Sequence, residues 1–210
     1  MNDEHWFFIR EFLRNPLRTA SIIPSSPKVA RQMAAALPAE GEPVVVELGP
    51  GTGAFTTAIQ RRLGGRGHHL AVELNDRFAA LLRARFPSVD VAVSDAVHVR
   101  KLLDDRGVTC ADAVISGLPH ALFSQSLQHR LMGAVQDSLA PDGMFVAYAY
   151  VHAAWSPPAR RFGRLLKTVF KEVAVGKVVW ANLPPAFVYT ARHVRTPPRP
   201  GIADANVSKS

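Results

Sequence analysis

Apolar and polar positions come in blocks whose period changes along the chain. In residues 3–14, Trp6, Phe8, Ile9, Phe12 and Leu13 fall on one arc of about 160° at helical spacing, with Arg10 and Arg14 beside it. That spacing predicts an amphipathic helix over 3–14, ended by Asn15-Pro16. Pro24-Ser25-Ser26-Pro27 reads as a turn with Ser26 as N-cap and Pro27 at the first helical position. A second helix is predicted from there to Leu37, where Pro38 stops it. Short β-branched runs and helical stretches then take turns. Residues 44–48, 70–73, 89–93, 113–115 and 144–150 are predicted strands, and 54–63, 76–86 and 124–139 predicted helices. A basic helix at 158–167 precedes two further β-like runs, 172–180 and 186–192. Only 181–185 separates those runs, which predicts an antiparallel hairpin.

Strand and helix in alternation imply an α/β fold, a mostly parallel sheet with helices on both faces and the hairpin at one end. The 210 residues fit one domain. The pattern divides them into a helical extension over 1–37, a main domain over 38–195, and a Pro-rich then polar tail over 196–210 predicted to be disordered. Apolar residues at 48% are enough for a packed core, and charged residues at 20% exclude a disordered chain. No run reaches the roughly 20 apolar residues of a membrane span. The acidic start, Met1-Asn2-Asp3-Glu4, is wrong for a secretory signal, and Cys110 is the one cysteine. A cytoplasmic protein without disulfides is expected. The eight histidines show no metal-ligand spacing, so no metal is expected.

Charge changes the picture at the periphery. The net +8 is concentrated late: residues 158–191 hold six bases and one acid, whereas 44–115 hold nine and eight. An anionic partner, lipid headgroups or nucleic acid, would meet those edges; charge that serves solubility alone is the other reading.

The chemistry is concentrated after the first strand. Gly49-Pro50-Gly51-Thr52-Gly53 between strand and helix is a nucleotide-binding turn, whose glycines let a ligand approach the backbone and unpaired helix N–H groups. Glu73, at the end of the second strand, can accept from both hydroxyls of a ribose. Asp95, ending the third, is placed for an adenine edge or for a helix N-cap. Dinucleotides and S-adenosylmethionine share this logic. The one-residue spacing before Gly53 departs from the dinucleotide pattern, and Glu47 supplies a carboxylate that an ammonium, but no pyrophosphate, would use.

The run Glu47-Leu48-Gly49-Pro50-Gly51-Thr52-Gly53 resembles the first motif of class I methyltransferases. The resemblance covers about residues 20–193 and implies a Rossmann-like, seven-stranded sheet with S-adenosylmethionine over the carboxyl ends of its strands. It places Glu47 and the Gly49–Gly53 turn (with Pro50 and Thr52) at the methionine part, Glu73 with Leu74 at the ribose, Asp95 with Ala96 at the adenine, and Ser116 with Gly117 nearby.

More closely, 12–16 with 23–27, Ser116-Gly117-Leu118-Pro119, and the 182–189 stretch are similar to bacterial phospholipid N-methyltransferases, which methylate phosphatidylethanolamine and its partly methylated forms. Where that family carries an aromatic after Ser-Gly-Leu-Pro, this chain has His120. The resemblance implies a phospholipid substrate and peripheral docking on the inner, anionic membrane face. The expected contacts are Trp6, Phe8, Ile9, Arg10, Phe12, Leu13 and Arg14 of the first helix, Ser25 and Ser26, and the bases of 158–171. The alternative for the first helix is packing on the protein's own core.

Methyl transfer needs a neutral amine held in line, so His120 and His152, after the fourth and fifth strands, are candidate proton acceptors. Plain hydrogen-bonded histidines are the other reading. Tyr148 and Tyr150 share a face of the fifth strand and form a candidate cation–π wall, or ordinary core. Three other functions compete. They are an rRNA adenine dimethylase-like enzyme, a small-molecule methyltransferase, and a non-enzymatic cofactor-binding peripheral membrane protein. No stable nucleic-acid partner is expected, because the Asn-Leu-Pro-Tyr motif of the dimethylases is replaced here by Ser116 to His120.

Overall fold

The computed structural model describes residues 26–195. The predicted helix over 3–14, Ser25 and the tail from Thr196 lie outside the described residues.

Helix α1 (Pro27–Ala34) starts where the Ser-Pro pair predicts, with the Ser26 hydroxyl accepting from the Val29 amide. Its last regular turn ends at Ala34, and a tighter turn carries the chain to Leu37. Val29, Ala30, Met33 and Leu37 are buried against Phe55, Ile59 and Val146, so α1 is part of one face of the core. Strands and helices then alternate: β1 (Val44–Leu48), α2 (Ala54–Leu63), β2 (His68–Glu73), α3 (Asp76–Arg85), β3 (Asp90–Val93), α4 (Val99–Asp104), β4 (Ala111–Ser116), α5 (Gln125–Ser138), β5 (Leu139–Tyr150), α6 (Pro157–Val169), β6 (Phe170–Val175) and β7 (Ala186–Val194).

The seven strands form one sheet in the order β3-β2-β1-β4-β5-β7-β6. β1 to β5 are parallel; β7 runs antiparallel between β5 and β6. The predicted hairpin is present, with its first strand shorter than the β-like run, because beyond Val175 only a bridge from Val179 to Ala186 remains. α4 was not legible as a helix. It is six residues long, buries only Val99 and Leu103, and carries the i,i+4 pairs Arg100–Asp104 and Lys101–Asp105. β5 begins earlier than predicted. Ala111 pairs with Leu139 and Ala113 with Met144, so Pro141-Asp142-Gly143 is bulged out of an otherwise continuous strand.

The parallel strands are buried on both faces. One apolar layer lies under α4, α5 and α6, with Phe145 and Phe170 stacked 6.2 Å apart at its centre. The other lies under α1 and α2, and α3 closes a smaller cluster over β2 and β3. Strand order reverses between β1 and β4, and the crevice at their carboxyl ends is where open α/β sheets take ligands.

Candidate active site

The turn after β1 is built on left-handed backbone. Gly51 has φ +55°, and a Cβ built on it would meet nothing within 4 Å, so its free side is open to the crevice. Gly117 leaves β4 beside that turn. Its amide donates to the Leu48 carbonyl, and a Cβ there would lie 2.6 Å from the Gly49 oxygen. The two loops are thus back to back at the reversal point, with room only for glycine at 117.

A cavity of about 480 Å³ opens from this junction, within the range of small-molecule sites. Gly49, Pro50, Gly51, Thr52 and Gly117 line its first end. Glu73 is 5% exposed there, one oxygen accepting from the Gly51 amide (3.0 Å) and the other from the Asn75 amide (2.9 Å). Burial raises its carboxyl above the usual range, and the backbone donors at Asn75 and Gly51 oppose that rise. Leu74, Asp95 and Ala96 continue the lining. Asp95 also accepts from the Val97 amide and so caps the short turn Ala96–His98, the N-cap role the sequence offered.

Three residues expected around the cofactor lie behind the lining. Gly53 closes the turn through its amide to Pro50 and caps α2. Ser116 is fully buried, its hydroxyl 2.8 Å from His120 Nε2. Glu47 is also fully buried. It accepts from the Thr56 hydroxyl at 2.8 Å and lies 3.2 Å from His69 Nε2, close enough for attraction but out of line for a hydrogen bond. Its other oxygen is buried with no hydrogen-bond partner among the described residues. Such an acceptor has room for one more donor, an ammonium or a water.

The far end is aromatic. One wall starts at Phe55, beside Gly117, and runs through Tyr148 and Tyr150 to His152, with neighbouring ring centroids 5.3–5.6 Å apart. His120, Phe162 and Tyr189 form a second. His120 lies flat on Phe162 at 4.1 Å and edge-on to Phe123. Burial pushes its ring down to about 3, so it stays neutral at physiological pH, and its Nδ1 is buried without a partner among the described residues. The contact with Ser116 and the stacking on Phe162 fit the hydrogen-bonding reading of this ring. His152, by contrast, is exposed at the mouth. Among the described residues, Glu73 and Asp95, both at the first end, are the only Asp, Glu, Lys or Arg side chains in the lining.

The sequence brought out Tyr148, Tyr150, His120 and His152 on this cavity but not Phe55, Phe162 or Tyr189 as site residues. Tyr189 carried a readable signal, since Ala186, Val188 and Thr190 alternate with it along β7. Phe162 carried none, because only the packing of α6 decides which of its residues meets His120.

Adenosine and amino-acid chemistry fit this arrangement. The open side of Gly51 leaves the backbone accessible, Glu73 is a buried carboxylate of the kind ribose hydroxyls call for, and the orphaned oxygen of Glu47 lies just behind the turn. Comparison with known proteins agrees. The family model of ribosomal RNA adenine dimethylase matches residues 7–100. The ornithine lipid N-methyltransferase of Singulisphaera acidiphila is 34% identical over 195 residues, covering 91% of this chain and 97% of that one. A ribosomal RNA small subunit methyltransferase A from Burkholderia is 28% identical over 152 residues, 70% of this chain and 54% of that protein. Among solved structures, the O-methyltransferase TomG from Streptomyces achromogenes, in complex with S-adenosylmethionine, has a TM-score of 0.65 at 16% identity, covering 92% and 91% of the two chains. The cofactor of this chain is S-adenosylmethionine. From the Gly-rich turn, the buried Glu73 and the near full-length match, the chain belongs to the class I S-adenosylmethionine-dependent methyltransferases, in the N-methyltransferase family that includes the Singulisphaera enzyme.

Proposed function

We propose that this methyltransferase acts on the amine of a membrane lipid, phosphatidylethanolamine or its partly methylated forms, at the inner membrane surface. The observation that carries the reading is the aromatic, uncharged far end of the cavity. Among the described residues, the lining of that end holds no Lys or Arg of the kind a phosphate drawn into the cavity would call for. An amine on a lipid headgroup instead needs a surface that tolerates alkyl groups and attracts a methylated cation, which ring faces provide. The lipid substrate named for the Singulisphaera relative supports the same class and widens it to ornithine lipid.

Bound S-adenosylmethionine supplies a sulfonium-activated methyl group. The residues of this chain then have to hold the amine in line, exclude water and let the ammonium proton leave. Tyr148 and Tyr150 present rings to the amine, Phe162 with His120 closes the opposite side, and His152 at the mouth passes the proton to solvent. The adenine dimethylase match ends at residue 100, before β4 and every aromatic residue of the acceptor end except Phe55, so it speaks to the cofactor half.

The test is transfer of labelled methyl groups to vesicles holding phosphatidylethanolamine, its monomethyl form or ornithine lipid, with ribosomal RNA alongside. Label in the ethanolamine lipids supports the reading. Label in ornithine lipid alone keeps a lipid acceptor and changes its headgroup; label in RNA alone overturns the proposal.

A further inference from the structure

Exposed apolar surface on this protein is polarised. Of the seven large apolar side chains exposed among the described residues, only Leu81, on the flank of α3, lies away from the carboxyl end of the sheet. Val93 and Val175 end β3 and β6. The other four sit on loops around the cavity mouth: Leu122 (55% exposed), Trp155 (83%), Trp180 (72%) and Leu183 (70%). Leu122 lines the mouth itself, Trp155 follows the lining residue Ala154, and Leu183 precedes the lining residue Pro184. The loops share one end because Ala186, the first residue of β7, pairs with Tyr150, the last of β5, and the Val151 amide donates to the Pro185 carbonyl. Scattered exposed apolar residues are ordinary; a ring of them around one opening is not.

Across the cavity from Glu73 and Asp95, the charge of the described rim has one sign. Residues 118–124, 151–164 and 176–185 contain no Asp or Glu. Arg160, in the first turn of α6, and Lys177, in the Trp180 loop, are exposed there. α6 then runs away towards Phe170, which pairs with Val194 at the opposite end. Lys167 is therefore about 10 Å farther along the helix than Arg160, roughly one Debye length. Of the basic 158–171 segment, only its beginning is close to the rim. The chain also enters the described fold here, for the Ser26 amide donates to Asn182 Oδ1 at 2.7 Å, between Trp180 and Leu183.

We propose that this rim, with Trp155, Trp180 and Leu183 at its tips and Arg160 and Lys177 behind them, is the surface that enters the headgroup region of an anionic lipid bilayer. The inference rests on the lipid reading of the cavity. Tryptophans settle at the boundary between acyl chains and water, and the two bases attract anionic headgroups. The cavity then opens directly onto the plane from which a headgroup amine arrives.

Three full-chain variants test this on vesicles of phosphatidylglycerol and phosphatidylethanolamine: Trp155→Ser with Trp180→Ser and Leu183→Ser; Arg160→Glu with Lys177→Glu; and Phe8→Ser with Phe12→Ser. Sedimentation should show the first weakening vesicle binding by about tenfold or more, and the second weakening it most at low salt. Turnover of a short-chain aminolipid dispersed as monomers should match the parent protein in the first variant. Vesicle binding equal to the parent in the rim variant would overturn the proposal, as would loss confined to the Phe8/Phe12 variant. So would a parent dimer that the rim variant converts to monomer, which would make the rim a contact between copies. If the rim variant releases vesicles but the parent methylates no lipid, the docking surface stands and the acceptor assignment falls.

Discussion

In the proposed reading, cofactor affinity turns on Glu73. Its carboxylate is buried, and both oxygens already accept backbone N–H bonds. Glu73→Gln removes the charge and turns an amide N–H₂ towards those donors, so calorimetry should show S-adenosylmethionine binding about ten- to a hundredfold weaker. The pH dependence follows from the raised carboxyl of the free protein. Ribose hydroxyls favour the charged form, so binding expels a proton wherever Glu73 is still protonated. Affinity should climb as pH approaches the raised pKa from below and level off above it, and the slope should vanish in Glu73→Gln. His120 makes the opposite case. A neutral buried ring stacked on Phe162 can be replaced by Phe, and His120→Phe should keep turnover within a few-fold while lowering the melting temperature by a few degrees, since the fully buried Ser116 hydroxyl loses its partner at Nε2. Loss of turnover with an intact fold would restore the ring nitrogens to the chemistry. The sequence made the place of Glu73 in the crevice legible because it ends a strand beside the Gly-rich turn. It left the state of His120 illegible because burial, not residue type, decides it.

The elements meet most tightly where the β1 turn and the end of β4 touch. Gly117→Ala would drive a methyl group into the Gly49 carbonyl, a backbone atom that cannot step aside by rotation. A loss of about 1–3 kcal/mol is expected, several degrees in thermal melting, together with weaker cofactor binding because the displaced loop lines the site. An unchanged melting curve would show that the two loops are slack. Most elements were readable from periodicity: the Gly-rich turn, the five parallel strands and the terminal hairpin follow directly from the spacing of apolar residues and breakers. α4 and the bulge in β5 were not. Six residues with two buried side chains carry too little period, and Pro141-Asp142-Gly143 signals a turn whether or not a strand continues through it.

At the scale of the whole molecule, the fold gathers two unlike environments into one crevice. Polar, glycine-rich backbone with two carboxylates lies at one end and two aromatic walls at the other. The first was visible in a contiguous motif. The second was half visible, because Tyr148, Tyr150 and His152 share one stretch of chain, whereas Phe55, Phe162 and Tyr189 arrive from three separate elements. Net charge pointed to an anionic partner, but only the direction of α6 shows which bases share the end of the cavity mouth. The most direct measurement is mass spectrometry of membrane lipids from a bacterium that makes phosphatidylethanolamine and no methylated derivatives, expressing this chain or its Glu73→Gln variant. The account predicts mono-, di- or trimethylated ethanolamine lipids with the parent chain and a sharp reduction with the variant. An unmethylated ethanolamine-lipid pool beside a folded, cofactor-binding protein would contradict it.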